Sequence, residues 1–135
     1  MTDTVSKEQR SANMSAVRSR NTGPEIRVRQ IAHGLGYRFR LHRRELPGKP
    51  DIAFPGRQKV VFVHGCFWHQ HKGCPRASIP ESNSEFWRNK LSRNMVRDAK
   101  QVAAIRKNGW RVLVVWECET KNERRLAARL RRFLG

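Results

Sequence analysis

Between Val60 and Cys74 the chain reads VVFVHGCFWHQHKGC, a run in which His64, Cys66, His69, His71 and Cys74 fall within eleven positions. Imidazoles and thiols packed this densely after an apolar stretch are poor core material and good ligand material. Cys66, His71 and Cys74, joined by the distant Cys118, supply three thiolates and one imidazole, the donor set of a closed tetrahedral zinc site. All four ligands would come from protein, which leaves no open position for water and makes the expected role structural. The competing reading is three reduced cysteines packed in the core. A second kind of chemistry starts at Asp51, directly after Pro50. A carboxylate opening one strand of a hairpin can meet the backbone of Val63 and the ring of His64 on the other. Carboxylate and carbonyl oxygens are what Mg²⁺ accepts, with water completing the octahedron. Alone, Asp51 would pass for a turn or capping residue, and His64 and His69 for zinc ligands or packing residues. His33 and His42 lie outside the cluster and are assigned no role.

The elements that must position these groups are legible from periodicity. Thr22-Gly-Pro-Glu25 has the form of a capping box, and Val28, Ile31, Ala32 and Leu35 follow at helical spacing, which predicts a helix over 23–34. After Gly34 and Gly36, Tyr37, Phe39 and Leu41 alternate with Arg38, Arg40 and His42 as in a half-exposed strand. Leu46 to Pro50 reads as a turn. Strands at 51–54 and 59–64 should form a hairpin across Pro55-Gly56, the second buried on both faces. Residues 75–84 read as loop. A long helix over 86–108 is predicted to carry Met95, Ala99, Val102 and Ile105 on one apolar stripe, with Asn108-Gly109 as its stop. Trp110 to Trp116 is a fourth strand, and Leu126, Leu130, Phe133 and Leu134 mark a last amphipathic helix. The fold class is therefore α/β, a mixed four-stranded sheet flanked by helices in the order α-β-β-β-α-β-α. Strands three and four, connected through the long helix, should run parallel by a right-handed crossover.

At 135 residues the chain fits one domain, read here as a basic segment over 1–22 followed by a single unit over 23–135. Twenty-nine Lys and Arg against eleven Asp and Glu give a formal charge of +18, which calls for a polyanionic partner. Basic residues are spread along the whole chain and no lipidation signal accompanies them, so nucleic acid fits better than a membrane. No apolar run approaches the ~18 residues of a membrane span, and an odd number of cysteines argues against a disulfide framework. A soluble, cytoplasmic protein is the expectation. Phe67 and Trp68, hemmed in by ligand residues, have little freedom to turn inward. Flat rings offered beside a site of this kind can wedge into a base stack. Phe86, Trp110 and Trp116 are expected in the core.

The element order and the Pro-Asp on strand two resemble the PD-(D/E)-x-K nuclease superfamily and imply a restriction-endonuclease-like fold. That pattern also asks strand three for an acidic residue and a lysine, where this chain has Phe62 and His64. The resemblance sharpens with HGCFWH at 64–69, EFW at 85–87 and GWRVLVVWEC at 109–118, supported by RSANM at 10–14, Thr22, Glu25 and LPGKPD at 46–51. These motifs resemble the very-short-patch-repair mismatch endonucleases from residue 10 to about 120. The resemblance implies that Asp51 and the backbone carbonyl of Val63, a position where the family often carries Thr, bind Mg²⁺. It further implies His69 as general base or water positioner, and His64 and Glu25 as holders of water around the metal. Zinc on Cys66, His71, Cys74 and Cys118 is implied as well. Phe67, Trp68 and Trp87 would intercalate beside a T:G pair, and Met14 and Val17 would clamp the minor groove. The implied activity is a strand-specific nick 5′ to the thymine of a T:G mismatch left by 5-methylcytosine deamination. A monomer working alongside mismatch-repair proteins fits that lesion. Two rivals remain open on the residues alone: a restriction-like nicking enzyme without mismatch preference, and a zinc-stabilised DNA-binding module without catalysis.

Overall fold

The computed structural model describes residues 22–41 and 46–135. Helix α1 (Gly23–Gly34) leads into strand β1 (Arg40–Leu41), followed by β2 (Ile52–Phe54), β3 (Lys59–His64), helix α2 (Ser84–Lys107), β4 (Arg111–Trp116) and helix α3 (Glu123–Leu134). The four strands form one sheet in the order β1-β2-β3-β4. Both β1–β2 and β2–β3 pair antiparallel, whereas β3 and β4 run parallel from Lys59 opposite Arg111 to His64 opposite Trp116. The α/β class, the mixed sheet and the element order agree with the sequence reading.

Alternation along the strands sorts the core into two layers. Ile52, Phe54, Val61 and Val115 face α1 and α3, meeting Val28, Ile31, Leu126 and Leu130. Ala53, Val60 and Phe62 face the other way, toward Ile105 of α2 and Leu46. By the same parity Asp51 and His64 belong to the α2 side. The sheet thus carries two chemically active side chains to one face at one end, and α2 covers that face.

Local signals explain the element ends. Thr22 caps α1, its hydroxyl accepting from the Glu25 amide at 3.3 Å, and Pro24 sits in the first turn. At the β2–β3 turn Pro55–Arg57 form one turn of 3-10 helix and Gln58 takes φ 54°. Lys59 donates to the Phe133 and Leu134 carbonyls and Arg57 to that of Leu134, so two cations satisfy the exposed carboxyl end of α3.

Three expectations need correction. The first strand starts later than the alternation over 37–42 suggests: among the described residues pairing covers Arg40–Leu41, and Tyr37 and Phe39 before it turn their rings edge-on to Phe54. The stripe through Met95 and Ala99 is not the buried face of α2. Met95 is 48% exposed, and the inward line runs Trp87, Leu91, Asn94, Ile105. Phe86, expected in the core, is 45% exposed. Residues 1–21 and His42 lie outside the described residues, and with them Met14, Val17 and the proposed N-terminal clamp.

Candidate metal and catalytic centre

At the carboxyl end of β3 a cleft of about 200 Å³ gathers Asp51, Val63, His64, His69 and Asp98, with Lys49 and Arg97 at its margin. Oδ2 of Asp51 accepts the Val63 amide at 2.7 Å. A strand residue points its amide and carbonyl to the same side, so the Val63 carbonyl also faces Asp51. Burial, opposed by the Val63 hydrogen bond, pushes the Asp51 carboxyl up to about 7, with Glu25 nearby adding to the rise. Glu25 is itself buried, its carboxylate 2.6 Å from the Arg29 guanidinium. The Asp51 carboxylate beside the Val63 carbonyl forms an oxygen-lined, cation-seeking site, on which Glu25 acts through its charge, and these donors fit Mg²⁺.

Across the cleft the two imidazoles stack face to face, centroids 3.8 Å apart and planes 6° from parallel. Their roles are separated by their surroundings. Burial, reinforced by His69, pushes His64 down to about 3, so it stays neutral near pH 7. His69 instead places Nδ1 2.5 Å from Oδ2 of Asp98. A carboxylate on Nδ1 fixes the ring's orientation and tautomer, leaving Nε2 free to accept a proton.

Asp98 was not singled out in the sequence, nor was Asn94, which is buried and donates to the Trp68 carbonyl at 3.2 Å. Both sit on the inward line of α2, and a helical spacing of Trp87, Leu91, Asn94, Asp98 and Ile105 was there to be read. Two polar side chains interrupt that line, so it does not stand out as an apolar stripe.

Cys66, His71, Cys74 and Cys118 converge with all four donor atoms within 4.8 Å of one another. Nδ1 of His71 is 3.4 Å from Sγ of Cys118 and 3.7 Å from Sγ of Cys66. The edges of a zinc tetrahedron built from ordinary Zn–S and Zn–N bonds are about 3.5–3.8 Å, so this cage has the right size. Burial, with the other thiols crowding in, pushes the Cys66 thiol up to about 12. Three sulfurs and one imidazole nitrogen at this spacing are a donor set that suits Zn²⁺. The cage ties the loop after β3 to the turn after β4, where Glu117 also accepts the Cys66 amide.

Between the two centres the rings are continuous. His71 stacks on Trp116 with centroids 4.3 Å apart, and the edge of Trp116 meets His64 at 5.4 Å.

The aromatic loop departs from expectation. Trp68 is 6% and Trp87 7% exposed, so neither projects freely. With Leu91 they form a small core of their own, against which Phe67 lies half-buried, and all three rings meet edge to face. Flanking ligands did not prevent burial, because α2 brings its own tryptophan and leucine to meet the loop.

Comparison with known proteins places the chain. Residues 2–76 match the family model described as DNA mismatch endonuclease Vsr. The chain is 52% identical to the type II nicking enzyme V.XorIIP of Xanthomonas oryzae pv. oryzae, over 99% of this chain and 98% of that protein. It is 41% identical to the type II nicking enzyme V.NmeAIP of Neisseria meningitidis, over 99% and 95% of the two chains. Against the DNA mismatch endonuclease Vsr of Escherichia coli the identity is 39%, covering 93% of this chain and 80% of that one. With matches of this extent to a fold that brings Asp51, the paired imidazoles and the Cys/His cage together, the chain belongs to the Vsr family of DNA mismatch endonucleases.

Proposed function

We propose that this endonuclease nicks one strand of duplex DNA 5′ to the thymine of a T:G mismatch left by 5-methylcytosine deamination, and so starts very short patch repair. The carrying observation is the cleft that joins Asp51 to the stacked His64–His69 pair and the Asp98 carboxylate. Asp51 and the Val63 carbonyl are the residues that would hold Mg²⁺. When bound, that ion supplies Lewis-acid stabilisation of the charge building on the phosphoryl oxygens.

The rest of the chemistry belongs to the chain. His69, oriented by Asp98, takes the proton of the attacking water on Nε2. His64 remains neutral against its face, so the proton goes to His69 and no second cation competes in the stack. Glu25 completes the oxygen-lined corner beside Asp51, and Lys49 and Arg97 offset the charge of the scissile phosphate. Asp98 brings a second acid to the cleft from α2 rather than β3, where it serves His69, and this supports catalysis in a chain whose third strand lacks the acid and the lysine of the superfamily pattern.

Mismatch choice rests on the aromatic cluster. Phe67, backed by Trp68 and Trp87, enters the base stack as one braced wedge, and a mispaired step costs less to open than a paired one. The ammonium of Lys90, 5.5 Å from the Trp68 ring centre, sits where a neighbouring phosphate would pass. Met14 and Val17 complete the grip from the minor groove. Zinc on the Cys66, His71, Cys74 and Cys118 cage holds the wedge loop in place. The enzyme acts as a monomer in the bacterial cytoplasm, alongside mismatch-repair proteins. Among the described residues no helix is long and apolar enough to cross a membrane.

The relatives called nicking enzymes keep a cut without mismatch preference as the competing reading. Nicking of two duplexes identical except for T:G against C:G separates the readings. A preference of at least a hundredfold for T:G supports the proposal, and equal rates overturn it.

A further inference from the structure

Among the described residues, topology sorts the acidic side chains to one end of the protein. β3 and β4 both begin at the end remote from His64, and all three helices finish there. Every acidic side chain among the described residues lies in the half that holds the cleft: in the first turn of α1, at the start of β2, before or along α2 as far as Asp98, after β4, or at the start of α3. Among the described residues the remote end has none. It carries Arg38, Arg40, Arg106, Arg111 and Arg132, all exposed, together with exposed Lys107 and Arg131, besides Lys59 and Arg57, which serve the α3 carbonyls. Helix dipoles do not account for this. Three helix carboxyl ends bring about −1.5 elementary charges, well short of Arg38, Arg40, Arg106, Arg111 and Arg132 alone, and none of these five is ion-paired with a described residue.

The arginines are also shaped into sites. A groove of about 920 Å³ beside β1 and β2 is lined by Arg38, Arg40, Arg57, Tyr37 and Phe39. A second, of about 490 Å³ at the start of β4, is lined by Arg106, Arg111, Arg132 and Trp110. Three strand spacings separate β1 from β4, about 15 Å, comparable to the ~12 Å that a B-DNA major groove sets between its phosphate walls. Planar guanidinium groups beside aromatic faces suit phosphate backbones better than scattered lysines would.

We propose that this pole is a second duplex-binding surface, which grips the phosphate backbone of another DNA segment while the cleft end holds the first. The inference rests on DNA being the substrate. An enzyme already on a long polymer meets neighbouring segments at high effective concentration, which favours DNA over an acidic protein as the occupant. The consequence is direct transfer from segment to segment during the search for rare lesions.

The test uses the full chain and two short T:G duplexes bearing different dyes. At low salt the wild type binds two duplexes and brings the dyes into energy transfer, and its release from one duplex speeds up with the concentration of the other. The fivefold variant Arg38→Gln, Arg40→Gln, Arg106→Gln, Arg111→Gln, Arg132→Gln binds one duplex, loses energy transfer at least tenfold, and nicks an isolated duplex at the wild-type rate. The matching set of Arg→Lys changes restores most of the transfer. Saturation of the wild type at one duplex overturns the proposal, as does undiminished transfer in the glutamine variant, or displacement of the second duplex by polyglutamate of equal charge at lower concentration. Nicking is read in the same samples: two bound duplexes without nicking would refute the catalytic reading and leave this surface standing.

Discussion

Replacing Asp51 by Asn should make the metal-free protein more stable at pH 8 and leave it little changed at pH 4. The carboxyl is held near 7 in the fold, against an ordinary value of 3.8, chiefly by burial and next by Glu25, with the Val63 amide pulling the other way. A group whose folded value is raised contributes its stability below the unfolded value and loses it as the pH climbs through the folded one. Between pH 4 and pH 7 ionisation of Asp51 therefore costs about 1.4 kcal/mol per pH unit. The total is on the order of 4 kcal/mol, levelling off above pH 7. An asparagine has no such cost. Urea melts of wild type and Asp51→Asn from pH 4 to pH 8 should diverge steadily up to pH 7 and run parallel beyond it. Mg²⁺ should close the gap from the wild-type side, with an apparent affinity that falls about tenfold for each pH unit below 7 as protons compete for the same oxygen. A stability difference independent of pH, or a wild type indifferent to Mg²⁺ at pH 8, would refute the account of this corner.

Asp98→Asn leaves the imidazole stack in place but removes the charge that orients His69. Single-turnover nicking should fall by about 10²–10⁴ while DNA binding stays within twofold, as gel shift would report. Cys118→Ser opens the zinc cage, so metal analysis should find less than one zinc per chain and the melting temperature should drop, an effect that a chelator reproduces in the wild type. Gly48 has φ 75° and an added Cβ would lie 2.9 Å from Cβ of Gln101 on α2. Gly48→Ala should therefore cost about 1–3 kcal/mol in chemical denaturation and raise the Mg²⁺ requirement, because the displaced turn borders the cleft.

Much of this fold could be read from the chain because its signals are local. The cap at Thr22, the apolar run of β3 and the glycine after α2 each act within a few residues, and the crossover rule then orders the strands. The Cys/His cage was also legible, since three of its four donors lie within nine residues of one another. What escaped depends on contacts made over distance. Asp98 gains its meaning only from His69 on another element, and Trp68 is buried only because Trp87 and Leu91 arrive from α2. The exposed Met95 shows the same limit: an apolar stripe predicts a core face only where something stands opposite it, and opposite α2 stand a histidine pair and a loop rather than a continuous apolar wall.

The row of rings from His71 through Trp116 to the paired imidazoles means that one lining serves both the Cys/His cage and the cleft at Asp51. Anything that loosens the sulfur cage, whether a chelator or oxidation of its thiols, should free one end of that row and remove the support behind His69, the proton acceptor proposed above. Damage to a clip that takes no part in bond cleavage would thus reach the scissile phosphate through aromatic contacts alone, while the hydrophobic layers behind the sheet stayed folded.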